Sequence, residues 1–508
     1  MMDSWVDAKK GEANEAFRER RFQHACELYT EALERLRSGV TVTRGRGEEE
    51  DATSQVKTAI AVLLANRSFT RLKLEEYGFA ISDATEAIAQ DASYVKAYYR
   101  RGSANFALGK YKEAKSDLKV VERLAPGDKD AKSKLKECDR RVREQLFAEA
   151  IGVDHVSELD SVDLDQIGVE ENYDGPRLSE SPTVQDSIEL CSARFCEELM
   201  ETFKLQKKLH PRYVVLLLRQ VRSIFLSLPT VVDLPVGVDQ HITVCGDTHG
   251  QFYDLIKIFE LNGLPTSSNP YLFNGDFVDR GSFSVEVILT LLAFKVHDPA
   301  CMHLTRGNHE TRGMNKIYGF EGEVKAKYSE RTFEMFMEVF RAMPLAYVLD
   351  GSQVAGGKRA FVLHGGLFSK DGVSLDTLRS LDRNCEPDSG LLSEMLWSDP
   401  QKEPGRGPSK RGIGVSFGPD VTMRFLEENN LDLLVRSHEM KEEGYEVEAE
   451  GKLITIFSAP NYCDQMGNMG AFIRFRSDMK PIFTQFSASP HPDVRPMKYA
   501  GNLGMWGL

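Results

Sequence analysis

Three short blocks between residues 246 and 310 carry the side chains best suited to chemistry: GDTHG (246–250), GDFVDRG (275–281) and RGNHE (306–310). Each closes a hydrophobic, strand-like lead-in, ITVC (242–245), YLFN (271–274) or MHLT (302–305), and helix-like stretches such as QFYDLIKIFEL and SFSVEVILTLLAFKV separate them. The pattern is strand, loop, helix, repeated. In such sheets ligands gather outside the carboxyl ends of the strands, so Asp247, His249, Asp276, Asn308 and His309 are expected at one crevice. FVLHGGL adds His364 and LLVRSHE adds His438 in the same way. Oxygen and imidazole donors without thiolate suit a hydrolytic site for two divalent ions, manganese, iron, zinc or magnesium, rather than a structural zinc knot. One GDxHG block alone is weak evidence, because a single histidine at a strand end is ordinarily structural. Five blocks that place Asp, His, Asp, Asn, His and His at successive strand ends are not explained by packing.

The surrounding segments must hold these loops in place. From about Ser187 the helical patterns SIELCSARFCEELMETFKLQ and RYVVLLLRQVRSIFLSLP open the domain, and further helix-like stretches cover Gly319–Arg341 and Pro419–Asn429. WSDP (397–400) and SKRG (409–412) lie between, and KLITIFSAP, GAFIRF and PIFTQF make the end β-rich. Alternation of both kinds predicts an α/β core of packed sheets flanked by helices.

With 508 residues the chain has room for two or three domains, and 41% hydrophobic residues suit globular ones. A formal charge of −13 argues against a general nucleic-acid binder. The eight cysteines include no CxxC pair, which points to a reducing compartment. The polar start MMDSWVDAKKGE lacks an apolar signal core, and no apolar run approaches the roughly 18 residues of a membrane span. A soluble cytosolic or nuclear protein is expected.

Residues 5–150 are helix-like and they repeat. Leu74, Tyr77 and Ala80 recur as Leu108, Tyr111 and Ala114, a shift of 34, the period of tetratricopeptide repeats. Phe22 and Ala25 supply the pair once more, 55 residues before Tyr77 and Ala80, so an insertion is expected, and the polar stretch 38–55 reads as its loop. Three repeats suffice to stack a continuous core. On the first helix of each repeat, Lys10 and Asn14 share one face, as do Lys96 and Arg100, and Asn66 holds the Arg100 position one repeat earlier. Cations and amides converging there would make a socket for a carboxylate. Residues 152–182 carry nine acidic residues against one arginine and read as a solvated tether. The expected divisions are a repeat domain (5–150), an acidic linker (151–186), a catalytic domain (187–495) and a C-terminal regulatory tail (496–508).

The blocks resemble those of the phosphoprotein phosphatase family of serine/threonine phosphatases, in the branch that carries N-terminal tetratricopeptide repeats, and the resemblance spans nearly the whole chain. It implies a multidomain α+β and α/β protein: an all-α tetratricopeptide superhelix followed by a metallophosphatase β-sandwich flanked by helices, with the metals at its edge. By that resemblance Asp247 and His249 bind one metal, Asn308, His364 and His438 the other, and Asp276 bridges both. His309 gives a proton to the departing serine or threonine oxygen, with Asp279 accepting a hydrogen bond from its other ring nitrogen. Arg280 and Arg411 clamp the phosphate together with Asn308, and Tyr462 in SAPNYC touches substrate at the groove rim. Attack by a water shared between the metals releases inorganic phosphate without a phosphoenzyme. Arg306 and Arg436 read as loop-stabilising, and Cys463 as structural.

The resemblance also implies phosphorylated protein substrates and a largely monomeric protein of cytoplasm and nucleus. Lys10, Asn14, Asn66, Lys96 and Arg100 match the dicarboxylate clamp of co-chaperones that grip the acidic C-terminus of heat shock protein 90. Members of this branch are held down by their own repeat domain, helped by the C-terminal segment, and released by the chaperone tail or by fatty acid. Two features depart from the pattern. An insertion of about 21 residues lies between the first and second repeats, and the tail GNLGMWGL has three glycines, each disfavouring helix by about 1 kcal/mol relative to alanine. Two other readings stand beside the phosphatase: a scaffold with a vestigial catalytic domain, and a metallophosphoesterase acting on nucleotides or other small molecules. The complete ligand set argues against the first, and LLVRSHE and SAPNYCDQMGN against the second.

Overall fold

The computed structural model describes residues 4–40, 49–151, 157–178 and 191–500. They divide into two compact units, one drawn from residues 1–154 with 408–413, the other from 155–407 with 414–505.

The first unit is built of antiparallel helices: α1 (Ser4–Arg18), α2 (Phe22–Val40), α3 (Glu49–Lys73), α4 (Tyr77–Gln90), α5 (Val95–Ala107), α6 (Tyr111–Leu124) and α7 (Lys129–Ile151). The small residues of the repeat sit where helices touch, and Ala25, Ala80 and Ala114 are each fully buried. The turn inside each repeat needs one residue at positive φ: Arg20 (62°), Glu75 (61°) and Gly109 (70°), the last two 34 apart. Only the third repeat uses glycine, which enters that region without strain. The same period recurs in two arginine–aspartate forks, the first buried and the second partly so. Arg67 donates to both oxygens of Asp83 at 2.9 and 2.7 Å, and Arg101 to both oxygens of Asp117 at 2.9 and 2.8 Å, tying the two helices of a repeat together. The expected loop at 38–55 is shorter than anticipated: residues 38–40 continue α2, residues 49–55 begin α3, and 41–48 lie outside the described residues.

The second unit opens with α8 (Glu158–Ser161), α9 (Ala193–Lys204) and α10 (Pro211–Ser227), then β1 (Val231–Pro235), β2 (Ile242–Cys245), α11 (Phe252–Asn262), β3 (Tyr271–Phe273), α12 (Ser284–His297) and β4 (Met302–Leu304). There follow α13 (Arg312–Tyr318), α14 (Phe320–Lys327), α15 (Glu330–Ala342), β5 (Ala346–Asp350), β6 (Arg359–Leu363), α16 (Leu375–Arg379), α17 (Gly390–Trp397), β7 (Asp399–Pro400), β8 (Arg406–Pro408), β9 (Val415–Phe417) and α18 (Pro419–Glu428). The unit closes with β10 (Leu433–Arg436), β11 (Tyr445–Glu448), β12 (Leu453–Ile456), β13 (Gly470–Phe475) and β14 (Ile482–Phe486).

Two sheets dominate, ordered β1-β5-β6-β10-β12-β11 and β14-β13-β2-β3-β4. Their inner faces meet in one apolar layer, where Val244, Leu272 and Ile473 of one sheet pack with Tyr347, Val362, Val435 and Ile454 of the other. The outer face of the second sheet is covered by α9, α10, α12 and α15 through residues such as Phe203, Leu217, Leu291 and Phe336. Because β2, β3 and β4 run parallel, and β6, β10 and β12 likewise, the carboxyl ends within each set lie at a common edge.

The acidic stretch is not a solvated tether over its described part. Leu159 is fully buried and Val162 and Leu178 nearly so, all within the helical core of the second unit. Arginines of α10 hold the chain: Arg219 donates to Leu159 O at 2.7 Å, Arg212 to Ile167 O at 3.1 Å, and Arg222 to Ser157 Oγ at 2.6 Å. Local charge reading could not see this, because the partners lie some 50 residues downstream. Residues 152–156 and 179–186 of the linker, and 501–508 of the expected tail, lie outside the described residues, whereas 496–500 pack with the second unit. Among the described residues no helix is long and apolar enough to cross a membrane.

Candidate metal centre

The edge shared by the parallel strands carries the site. Asp247 follows β2 by two residues, Asp276 follows β3 by three, Asn308 and His309 follow β4, His364 follows β6, and His438 follows β10. All six of Asp247, His249, Asp276, Asn308, His364 and His438 are buried, as is His309. Two groups of donor atoms close to within 4.8 Å of one another, His249–Asp276–His309 and Asp276–His364–His438, with Asp276 common to both. Asp247 joins the first through an Oδ2 that lies 3.6 Å from His249 Nε2. Asn308 joins the second through an Oδ1 that lies 2.9 Å from His364 Nε2.

Their chemistry fits divalent metal. His249 Nδ1 faces Val278 O at 3.1 Å and His364 Nδ1 faces Asn274 O at 2.8 Å, so each Nδ1 carries the proton and each Nε2 presents a lone pair. The lone pair of His364 then points at two oxygen acceptors, Asn308 Oδ1 at 2.9 Å and Asp276 Oδ2 at 3.3 Å, with His438 Nδ1 3.2 Å away. Lone pairs gathered this closely call for a cation among them. The electrostatics agree. Burial disfavours a charged His364, yet Asp276 and Asp247 outweigh it and raise its pKa to about 9. Burial likewise opposes ionisation of Asp276, but His364, His309 and His249 hold its carboxyl well below the usual carboxylate range. Burial and the charge of Asp276 push Glu310 up to about 8.

The backbone is bent to serve these contacts. His249, Asp276, Asp279, Arg280 and His438 all have positive φ, at 40°, 52°, 72°, 68° and 72°. Such conformations cost of order 1–3 kcal/mol each and persist only where surroundings enforce them. Part of the enforcement comes from Glu310, which accepts the N–H groups of Asp276 (2.8 Å), Phe277 (2.8 Å) and Gly307 (2.9 Å) and so ties the second block to the third. Gly307 is required by space: a Cβ there would fall 2.2 Å from Asp276 Oδ1 and 2.3 Å from Asp276 N. Gly307→Ala is therefore expected to destabilise the fold by about 2–4 kcal/mol, read from urea unfolding, and to weaken divalent-ion binding measured by calorimetry. An unchanged midpoint with unchanged metal affinity would contradict the close packing.

Around this centre the remaining expected residues take distinct places. His309 Nδ1 lies 2.8 Å from Asp279 Oδ2, which leaves its Nε2 free to face the cluster. Asp279 is held in turn by Phe320 N–H at 2.9 Å and Asn315 Nδ2 at 3.0 Å, and Asn315 also donates to His309 O at 2.6 Å. The Arg280 guanidinium stacks 3.8 Å above the Tyr318 ring. Tyr462 packs on His249 with ring centroids 5.1 Å apart, on a loop where Asn461, Cys463 and Asp464 have positive φ. Arg411 lies on the 408–413 segment, which groups with the first unit.

Arg306 and Arg436 are fully buried and act on loops: Arg306 donates to Glu310 O at 3.0 Å, Arg436 to Gly365 O at 2.7 Å and to Asp399 at 2.8 Å. Sequence reasoning missed Glu310, Asn315 and Tyr318. Glu310 stood in plain view in RGNHE, and a glutamate amid loop glycines, with free N–H groups to collect, was the available signal. Asn315 and Tyr318 gave none.

In the first unit, Lys10 and Asn14 stand on α1, Asn66 on α3, and Lys96 and Arg100 on α5. Arg100 Nη1 donates to Asn66 Oδ1 at 3.3 Å, its guanidinium lies 5.1 Å from the Phe69 ring, and burial lowers its pKa to about 10. Asn14 accepts from Tyr29 at 2.7 Å, and Lys10 pairs with Asp7 at 3.1 Å beside a cavity of about 350 Å³ lined also by Val6, Val62 and Leu63.

Comparison with known proteins bears on both units. Residues 240–442 match the family described as calcineurin-like phosphoesterase, and residues 135–233 match the PPP5 TPR repeat region. The chain is similar to serine/threonine-protein phosphatase 5 of Homo sapiens, 48% identical over 98% of this chain and 94% of the relative. It is similar also to serine/threonine-protein phosphatase 5 of Arabidopsis thaliana, 50% identical over 97% and 96%. Among solved structures, a protein serine/threonine phosphatase of Saccharomyces cerevisiae with similarity to human phosphatase PP5 covers 61% of this chain and 100% of its own length, with 42% identity and a TM-score of 0.57.

Proposed function

Because the chain belongs to the serine/threonine-protein phosphatase 5 family and is a protein serine/threonine phosphatase, we propose that it hydrolyses phosphoserine and phosphothreonine by direct attack of water at the centre built on Asp276. The observation that carries this reading is the convergence of seven buried donors on one sandwich edge, with Asp276 shared by both groups. Asp247, His249 and Asp276 would hold one divalent ion and Asp276, Asn308, His364 and His438 a second, whether manganese, magnesium, iron or zinc. Such a pair, when bound, supplies Lewis acidity to phosphate oxygens and lowers the pKa of water. The protein's own groups do the rest. His309, oriented by Asp279, donates a proton to the serine or threonine oxygen as the P–O bond breaks. Arg280 and Arg411 grip phosphate oxygens with planar forks, Asn308 adds a neutral contact, and Tyr462 closes the rim of the site.

The test is phosphate release from phosphoserine and phosphothreonine peptides, with a dinucleotide as the competing substrate, before and after chelation. Loss with chelator and recovery with manganese supports the reading. A clear kinetic preference for the dinucleotide, or no release with any of the four ions, overturns it.

The helical unit is proposed to bind the acidic C-terminus of heat shock protein 90 through Lys10, Asn14, Asn66, Lys96 and Arg100. The reading is supported by the placement of all five on the first helices of their pairs, with Arg100 against Asn66. In this proposal the repeat domain restrains the phosphatase at rest, and the chaperone tail, or fatty acid, raises turnover by favouring the released state. The protein acts as a monomer in cytoplasm and nucleus. Lys96 is exposed, so its replacement spares the fold. Lys96→Ala is expected to weaken an acidic pentapeptide ending in a free carboxylate about tenfold in calorimetry, and by less at high salt. Equal affinity in both proteins would remove Lys96 from the clamp.

A further inference from the structure

The structure assigns a positioning role to Ser282: its hydroxyl fastens a C-terminal strap, residues 495–499, over the turn that aims Arg280 at the substrate phosphate. The inference rests on the reading of Arg280 as a phosphate-binding group.

Arg280 sits in a demanding place. Both it and Asp279 have positive φ, 68° and 72°, without the freedom of glycine, so contacts must hold the turn. One side is held from within the catalytic core. Asp279 N–H donates to Ser284 Oγ at 3.1 Å, Arg280 N–H to Tyr318 O at 3.2 Å, and Gly281 N–H to His249 O at 2.8 Å. On the other side, the carbonyl of Arg280 accepts the N–H of Met497 at 2.8 Å. Ser282, only 4% exposed, makes the second fastening: its hydroxyl donates to Arg495 O at 2.7 Å and accepts Lys498 N–H at 3.2 Å. One hydroxyl thus binds the strap on both sides of Met497 and holds that N–H against the Arg280 carbonyl. The strap runs on to Tyr499, whose ring lies 5.7 Å from Lys327 Nζ, and Met497 itself has a positive φ of 52°.

The hydroxyl bonds to the strap backbone at Arg495 and Lys498, and its effect passes through Arg280. Losing it therefore weakens the grip on phosphate and leaves proton donation by His309 intact.

The experiment measures kcat and KM for a phosphoserine peptide, with the inhibition constant of inorganic phosphate, in the full-length manganese-loaded enzyme. Ser282→Ala is expected to raise KM and the phosphate inhibition constant together by about fivefold, with kcat within about twofold of the parent. Ser282→Thr restores both constants by returning the hydroxyl. Ser282→Cys, which fills the same space with a weak donor, falls between and covers the case in which the alanine variant does not fold. Arg280→Lys is measured alone and combined with Ser282→Ala, and the two effects are expected to be less than additive. Loss of melting temperature in Ser282→Ala or Ser282→Cys with unchanged KM and phosphate inhibition would make Ser282 merely structural and overturn the assignment. Full additivity with Arg280→Lys would also overturn it. If Arg280→Lys leaves both constants unchanged, the reading of Arg280 itself fails, a result distinct from a Ser282 effect that is missing while the Arg280 effect is present.

Discussion

Asp276→Asn is expected to lower kcat on phosphopeptides by about a thousandfold or more, with the fold retained. The two halves of that expectation have separate physical grounds. The carboxylate is common to both donor groups, with Oδ2 3.6 Å from His249 Nε2 and 3.3 Å from His364 Nε2, so its charge would serve both proposed ion positions. An amide there removes the charge and offers an N–H₂ or a neutral oxygen where an anion is needed. Its other oxygen, Oδ1, accepts the backbone N–H of His309 at 2.8 Å, and the amide oxygen of asparagine can keep that bond. The variant should melt close to the parent without added metal and show a smaller stabilisation when manganese is added. Metal content measured on the purified variant separates lost binding from lost catalysis, and near-parental turnover in protein of verified metal content would contradict the shared role of Asp276.

His309→Asn should act on a different step. The leaving oxygen of a serine or threonine ester departs as a strongly basic alkoxide unless it is protonated, so losing the proton donor costs roughly 10²–10⁴ in kcat on phosphopeptides. A nitrophenyl phosphate releases a stable anion that needs no proton, and there the loss should be about tenfold or less. The contrast between the two substrates is the diagnostic, because a general disruption of the site would depress both alike. The fold has reason to survive the change. Asp279, the partner of the lost imidazole at 2.8 Å, still accepts from Asn315 at 3.0 Å and Phe320 at 2.9 Å, so no buried carboxylate is stranded. Equal losses on both substrates would remove His309 from the donor role.

The centre was legible because its chemistry constrains residue type at fixed points of a simple pattern. Parallel strands bring their carboxyl ends to one edge, and candidate ligands just past those ends stand out as Asp, His and Asn between glycines in otherwise apolar surroundings. The strand lead-ins at 242–245, 271–274 and 302–305 fold as β2, β3 and β4 within a residue of the expected ends. The repeats were legible for the same kind of reason, since a period of 34 is visible in Leu74, Tyr77 and Ala80 without any partner being known.

What stayed hidden depends on partners remote in sequence. The forks from Arg67 to Asp83 and from Arg101 to Asp117 obey the repeat, but nothing local says that those charges pair. The docking of residues 157–178 depends on Arg212, Arg219 and Arg222, which a helical pattern alone places on α10 without naming their acceptors. The supports of the site act largely through backbone groups, Glu310 on three N–H groups and Asn315 on the His309 carbonyl beside the Asp279 carboxylate, and backbone groups leave no mark on a one-dimensional pattern. The polar composition of 49–55 suggested loop, yet these residues extend α3 N-terminally.

The most direct measurement of the account is phosphopeptide turnover with manganese by three preparations: the full-length protein, the same protein with an acidic chaperone-tail peptide, and a shortened chain beginning at Ser157. That starting point keeps Leu159 and Val162 in the core of the second unit. The account predicts a low full-length rate, raised by the peptide and matched or exceeded by the shortened chain. Equal rates in all three would leave the phosphatase standing and contradict restraint by the repeats, and no phosphate release from any of them would contradict the catalytic centre itself.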